Sequence, residues 1–139
     1  MVLVDGQGIP LGVHLSPANV AEVTLAEATL ATVAVPRAHG GRPKQKPVRI
    51  VADRAYDSLG LWERLHARGI QLIVPHQSTR KYRFQDGRCL RRYRRRWIIE
   101  RTNAWLHAFR RLVTRYENKL ENYSAFVHVA CMLIVLRQF

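Results

Sequence analysis

The chain has 139 residues and a mass of 16.1 kDa, the size of one domain or of one piece of a larger one. Hydrophobic residues make up 47% and charged residues 24%, enough apolar material for a core, which argues against a disordered chain. Lys and Arg number 23 against 10 Asp and Glu, a formal charge of +13, and the excess is unevenly spread. Residues 1–36 hold three acids and no Lys or Arg, whereas residues 80–115 hold thirteen bases and only two acids, Asp86 and Glu100. A basic block of that density inside a foldable chain points to a polyanion partner.

The opening MVLVDGQG has no basic region before an apolar stretch and no small-residue cleavage site, so it does not read as a signal peptide. The longest apolar run, Ala125 to Leu136, spans twelve residues and is interrupted by His128, too short for a bilayer. Cys89 and Cys131 lie far apart, which gives no disulfide framework and suits a reducing cytosol. His128 and Cys131 have helical i, i+3 spacing, but with no second ligand pair nearby they read as core packing.

In chain order, Asp5-Gly6 between two apolar runs predicts a β-hairpin over 1–15. Asn19 is placed to cap a helix over 20–33. Residues 36–47, with three prolines and two glycines, read as a loop or linker. Val48 to Ala52 is a short β-branched strand ending at Asp53, and Asp57-Ser58 caps a helix to about Ala67, stopped by Gly69. Ile70 to Val74 is a further strand, and the strand–helix alternation predicts an α/β layered domain with some parallel pairing. After a loop with a short hairpin at Asp86-Gly87, Ile98, Trp105, Phe109, Leu112 and Tyr116 recur at spacings of seven, four, three and four. They form one stripe of a helix over 93–116, with Trp105, like Trp62, facing the core. Asn122 or Ser124 caps a last helix to Leu136, apolar nearly all round and expected to be buried against a sheet. The sequence shows no internal repeats.

Two acids stand apart from their surroundings. Asp53 closes an apolar strand, where open α/β sheets place catalytic groups but where an aspartate is more often a helix or turn cap. Glu100 is the one acid between Asp86 and Glu117, amid Arg94, Arg95, Arg96, Arg101, Arg110 and Arg111. Helical geometry puts Tyr93, Arg96, Glu100, His107 and Arg111 on one face. Such a face reads either as a solvated salt bridge or as a metal-binding carboxylate among phosphate-binding cations. Two carboxylates of this kind are oxygen ligands suited to magnesium, and paired ions can drive phosphodiester displacement.

The stretch Val51 to Ser58 resembles the second-aspartate strand of bacterial insertion-sequence transposases with a DDE site. Arg96 to Leu106, continuing through Phe109-Arg110-Arg111-Leu112 to Glu117, resembles their glutamate helix. The family's Tyr–two–Arg–three–Glu–six–Lys signature falls on Tyr93, Arg96 and Glu100, with His107 at the Lys position. Val4 to Leu11, with Ser16 to Asn19, resembles the family's second and third strands.

The resemblance implies a ribonuclease-H-like (retroviral-integrase-like) α/β fold, a mixed sheet with flanking helices, and covers 1–139 as a partial catalytic domain. It implies magnesium or manganese held by Asp53 and Glu100, and DNA contacts from Tyr93, Arg94, Arg95, Arg96, His107 and Arg111. It also implies DNA strand cleavage and transfer in a bacterial cytoplasm, on the nucleoid and away from membranes. The family's first strand and its aspartate have no counterpart here, since Asp5 matches the hairpin turn. The expectation is therefore the C-terminal part of a truncated or split transposase, inactive alone, whose partners are DNA and an upstream fragment or another copy. The alternatives are a non-catalytic DNA-binding remnant able to pair with a full transposase, and a basic RNA-binding protein. An upstream frame encoding an aspartate-bearing strand would favour the enzyme.

Overall fold

A computed structural model describes residues 1–138. β1 (Val2–Val4) and β2 (Pro10–Val13) pair antiparallel, with Val2 opposite Val13 and Leu3 opposite Gly12. The Asp5 carboxylate shapes the turn between them, accepting from the Gln7 and Ile9 N–H groups at 2.8 and 2.9 Å. Helix α1 (Glu22–Ala31) packs over β2 at Gly12. A Cβ at Gly12 would lie 2.5 Å from Thr32 Oγ1 and 3.1 Å from the Thr29 carbonyl oxygen, so a larger residue would force the helix or the Thr32 side chain to shift. This helix starts later than expected, and Asn19 does not cap it: Ala21 holds that position without a side-chain bond.

β3 (Arg49–Val51) and β4 (Gln71–Ile73) pair in parallel, with Ile50 opposite Leu72. Between them, Arg54–Tyr56 forms a single 3₁₀ turn and α2 spans Leu59–Ala67. Ser58 accepts from the Leu61 N–H and caps α2 by itself. The parallel pairing read from sequence is present. The pairing is nevertheless split between two separate two-stranded sheets, one antiparallel and one parallel. Leu30, Leu61, Leu65, Ile70, Leu72 and Val74 form the main core, none more than 3% exposed. Each such side chain contributes about 1.5–3 kcal/mol on burial. Residues 36–47 contain no helix or strand, apart from the isolated bridge that Lys44 makes with Val35.

The C-terminal half departs further from expectation. No hairpin forms at Asp86-Gly87. Asp86 instead accepts from the Arg88 N–H and opens a ten-residue 3₁₀ segment, Gly87–Arg96. The single helix predicted over 93–116 is broken into α3 (Trp97–His107) and α4 (Arg110–Val113). The Ala108 and Phe109 N–H groups bond back to Trp105 and Leu106, tightening the last turn, and Phe109 is extended at φ −86°, ψ 99°. The break turns Phe109 and Leu112 onto the second core of Leu106, Ala130 and Ile134, which repays the lost helical bonds.

α5 (Leu120–Leu136) begins earlier than predicted, without a capping side chain. It is not buried all round: Val127, Ala130 and Ile134 are buried, but Val129, Met132, Leu133 and Leu136 face outward. His128 Nδ1 lies 2.7 Å from the Ser124 carbonyl oxygen. Among the described residues, no helix is long and apolar enough to cross a membrane.

Candidate nucleic-acid and metal site

Asp53 lies two residues beyond the end of β3, and its Oδ1 accepts from the Ala55 N–H at 2.8 Å, capping the 54–56 turn. Glu100 projects from the first turn of α3, with Oε1 2.6 Å from an Arg96 guanidinium nitrogen. Each carboxylate thus has a local structural role, and the second oxygen of each has no hydrogen-bond partner among the described residues. Hard carboxylate oxygens suit magnesium, which keeps several waters and binds through one or two carboxylates plus substrate phosphates. The donor chemistry fits such an ion. The donor number is low: among the described residues no three His, Cys, Asp or Glu side chains gather as a metal cluster.

The predicted basic face is assembled only in part. The Arg96 guanidinium lies 5.5 Å from the Tyr93 ring centroid while pairing with Glu100, so Tyr93, Arg96 and Glu100 form one contiguous group. Arg94 is exposed. Arg95 donates to the Gly6 carbonyl at 3.0 Å and is tied to the hairpin turn. His107 ends α3 and is exposed. Arg111 sits beyond the break, 3.9 Å from Glu117 and 4.8 Å from the Phe126 ring centroid, so it no longer shares the face of Glu100. Trp97 is 53% exposed, and the Arg101 guanidinium lies between it and Trp105, at 4.9 and 4.7 Å from the ring centroids.

Sequence spacing missed a buried polar network four residues beyond Asp53. Asp57, read as a helix cap, is buried. Its carboxylate accepts from the Gln77 N–H at 2.7 Å and Arg80 Nε at 2.8 Å, and His76 Nδ1 lies 3.0 Å away. Burial alone would raise its pKa. The Gln77, His76 and Arg80 bonds outweigh that and hold the carboxyl below its ordinary range. Phe84 closes the pocket, edge-on to His76 at 4.6 Å and under Arg80 at 5.0 Å. This network ties the loop after β4 to the segment after β3, four residues from Asp53. Its partners are 19 to 23 residues from Asp57, which no local periodicity reveals. Tyr56 donates to a Glu22 carboxylate oxygen at 3.1 Å, and burial with that acidic neighbour pushes its hydroxyl pKa up.

Residues 1–135 match the family described as Transposase DDE domain. The chain is also 38% identical over 133 residues to a protein assigned as a transposase for insertion sequence element IS402 of Burkholderia cepacia. That alignment covers 96% of this chain and 60% of the relative, so the chain spans less than two thirds of the relative's length. No solved structure matches the chain.

Proposed function

The chain belongs to the DDE transposase family, and from that premise we propose that it carries two of the carboxylates of a magnesium- or manganese-dependent site for DNA strand cleavage and transfer. Asp53 and Glu100 are the ligands in this reading. The observation that carries it is Glu100 itself, the one acid on α3, which follows directly on the arginine-rich 87–96 segment and is grouped with Arg96 and Tyr93 at the family's spacing. The ion would activate the attacking oxygen and steady the leaving oxygen of the phosphodiester. Tyr93 and Arg96 contact the strand beside it, with Arg94 on open phosphate and His107 and Arg111 at the margin. The family match is what supports a ribonuclease-H-like arrangement over 1–139, and the separate antiparallel and parallel strand pairs with flanking helices are compatible with it. In this reading the protein works on bacterial nucleoid DNA, with a further carboxylate supplied by an upstream fragment or another copy.

The low donor count favours a second reading, a DNA-binding remnant without catalysis of its own. Manganese titration followed by electron paramagnetic resonance, run beside a strand-transfer assay, tests both. The expected result is weak manganese binding that drops in both Asp53→Ala and Glu100→Ala, with no strand transfer by the 139-residue chain alone. Manganese binding indifferent to both substitutions would sink the site. Robust strand transfer by this chain, lost in both variants, would show that two carboxylates from this chain suffice.

A further inference from the structure

The hairpin turn has a second task that a turn motif does not explain. Three of its N–H groups are spent internally: Gln7 and Ile9 donate to the Asp5 carboxylate, and Gly8 donates to the Asp5 carbonyl at 3.2 Å. The carbonyls of Gly6, Gln7 and Gly8 are therefore the turn's outward acceptors. All three are taken by side chains of the 95–102 stretch. Arg95 donates to Gly6 at 3.0 Å, an Arg101 guanidinium nitrogen to Gln7, and the Thr102 hydroxyl to Gly8 at 2.7 Å. Thr102 is fully buried, and its alternative acceptor, the Ile98 carbonyl one turn back, is farther away at 3.2 Å. The longer-range bond is thus the shorter one.

Gly8 makes the contact possible. It has φ +87°, and a Cβ there would lie 2.9 Å from Thr102 Oγ1 and 3.0 Å from an Arg101 nitrogen.

We propose that this turn is a rotational lock on α3, with Thr102 and Arg101 as positioning residues for Glu100. Thr102 and Glu100 are two positions apart, about 200° around a helix, so fixing the Thr102 side against the turn fixes Glu100 outward. Ile98 and Leu106 share the buried line with Thr102, but apolar contacts are non-directional and tolerate a slide. A one-residue slide would swing Glu100 by about 100°. A buried hydroxyl and carbonyl resist it, because parting them strands both polar groups. The lock rests on the reading of Glu100 as a site carboxylate, and its test is separable from that reading.

Nitroxide labels at Arg54→Cys and Ala104→Cys, in a Cys89→Ser, Cys131→Ala background, leave Asp53 and Glu100 intact and place both probes on exposed positions. Dipolar electron paramagnetic resonance then reads the distance between the two segments. The parent should give one narrow distribution. Thr102→Val, of the same shape but without the donor, should at least double its width while helical circular dichroism is kept, and Thr102→Ser should restore the parent width. A contact that only stabilises would lower the melting temperature and leave the width unchanged, which overturns the lock. So does a Thr102→Ser chain as broad as Thr102→Val. If Thr102→Val does not fold, Arg101→Met removes the contact at the edge of the turn, and a parent-like width in that variant also overturns the lock. A mean distance too long for carboxylates serving one site defeats the site reading alone, since the width reports the lock.

Discussion

The two segments that carry the candidate carboxylates are held in place by different physics. Asp53 leaves a parallel strand pair whose core residues, Leu61, Leu65, Ile70 and Val74, are at most 1% exposed. Glu100 rides on α3, where, among the described residues, a smaller cluster of Leu106, Ala130 and Ile134 is buried and Ile98 is buried beside it. There α5 leaves Val129, Met132, Leu133 and Leu136 outside, and much of the fixing falls to polar bonds onto the hairpin turn and to Arg101 between two indoles. The first region rests mainly on apolar volume, with one buried polar network at Asp57, whereas the second depends mainly on directional bonds. A substitution that removes volume should therefore hurt the first most, and one that removes a donor should displace the second.

The largest effect expected from that contrast is in the main core. Leu61→Ala should cost about 2–5 kcal/mol, since deleting a fully buried side chain loses transfer energy and leaves a cavity. Met132→Ala on the outer face of α5 is the matched control. Urea unfolding midpoints decide it, and equal losses at the two positions would erase the distinction between the regions.

Next comes the buried network at Asp57. Asp57→Asn should cost about 2–3 kcal/mol, below the range for a fully buried pair because Arg80 keeps some solvent contact. Asp57 has its folded pKa lowered, so its contribution is present at neutral pH, above the unfolded carboxylate value. It fades as pH falls from about 4 toward the depressed folded value. Stability measured against pH should accordingly lose part of its acid limb in Asp57→Asn. A variant whose stability falls with acid as steeply as the parent's would show that the network contributes little.

A smaller effect separates free from committed arginines. DNA affinity should fall steeply with salt, because arginines that neutralise phosphates release the counterions condensed on the DNA. Arg94→Ala should reduce the slope of log K against log salt by about one. Arg101→Ala should leave that slope nearly unchanged, because its guanidinium is engaged with Gln7 and two indoles. Equal slope changes would mean that Arg101 is released on binding. The Arg94, Arg95, Arg96→Ala triple variant should flatten the slope further, though by less than three full contacts, given that Arg95 and Arg96 already have protein partners.

The smallest expected effect is that of Met132→Ala taken by itself, within about 0.5 kcal/mol. A loss well above that in the isolated chain would show that the outer face of α5 is packed in solution.

Much of the layout was legible in the chain itself. The hairpin, the strand ending at Asp53, α2 with its Ser58 cap and the parallel strand pair all follow from local signals: turn chemistry, β-branched runs and capping residues. The Tyr93–Arg96–Glu100 grouping follows from helical spacing across a single turn or two, and it survives even though part of it is 3₁₀. The same logic failed over longer runs. The stripe from Ile98 to Tyr116 implied one helix, yet the chain breaks at Phe109 so that Phe109 and Leu112 can reach α5, and Arg111 leaves the face with them. Periodicity counts positions along one axis and contains no information about where a second core will pull the chain. Asp57 shows the same limit. Sequence marks it as a cap because Asp-Ser is cap chemistry, whereas its burial depends on His76, Gln77 and Arg80 arriving from the far side of β4. Gly8 and Thr102, 94 residues apart, meet only because the hairpin and α3 fold together. The sequence by itself determined which groups carry charge and which segments prefer helix or strand, since those are short-range preferences of backbone and side chain. Tertiary structure decided which carboxylates are spent, which arginines are free and how Glu100 is aimed, because each of those depends on partners brought together by burial.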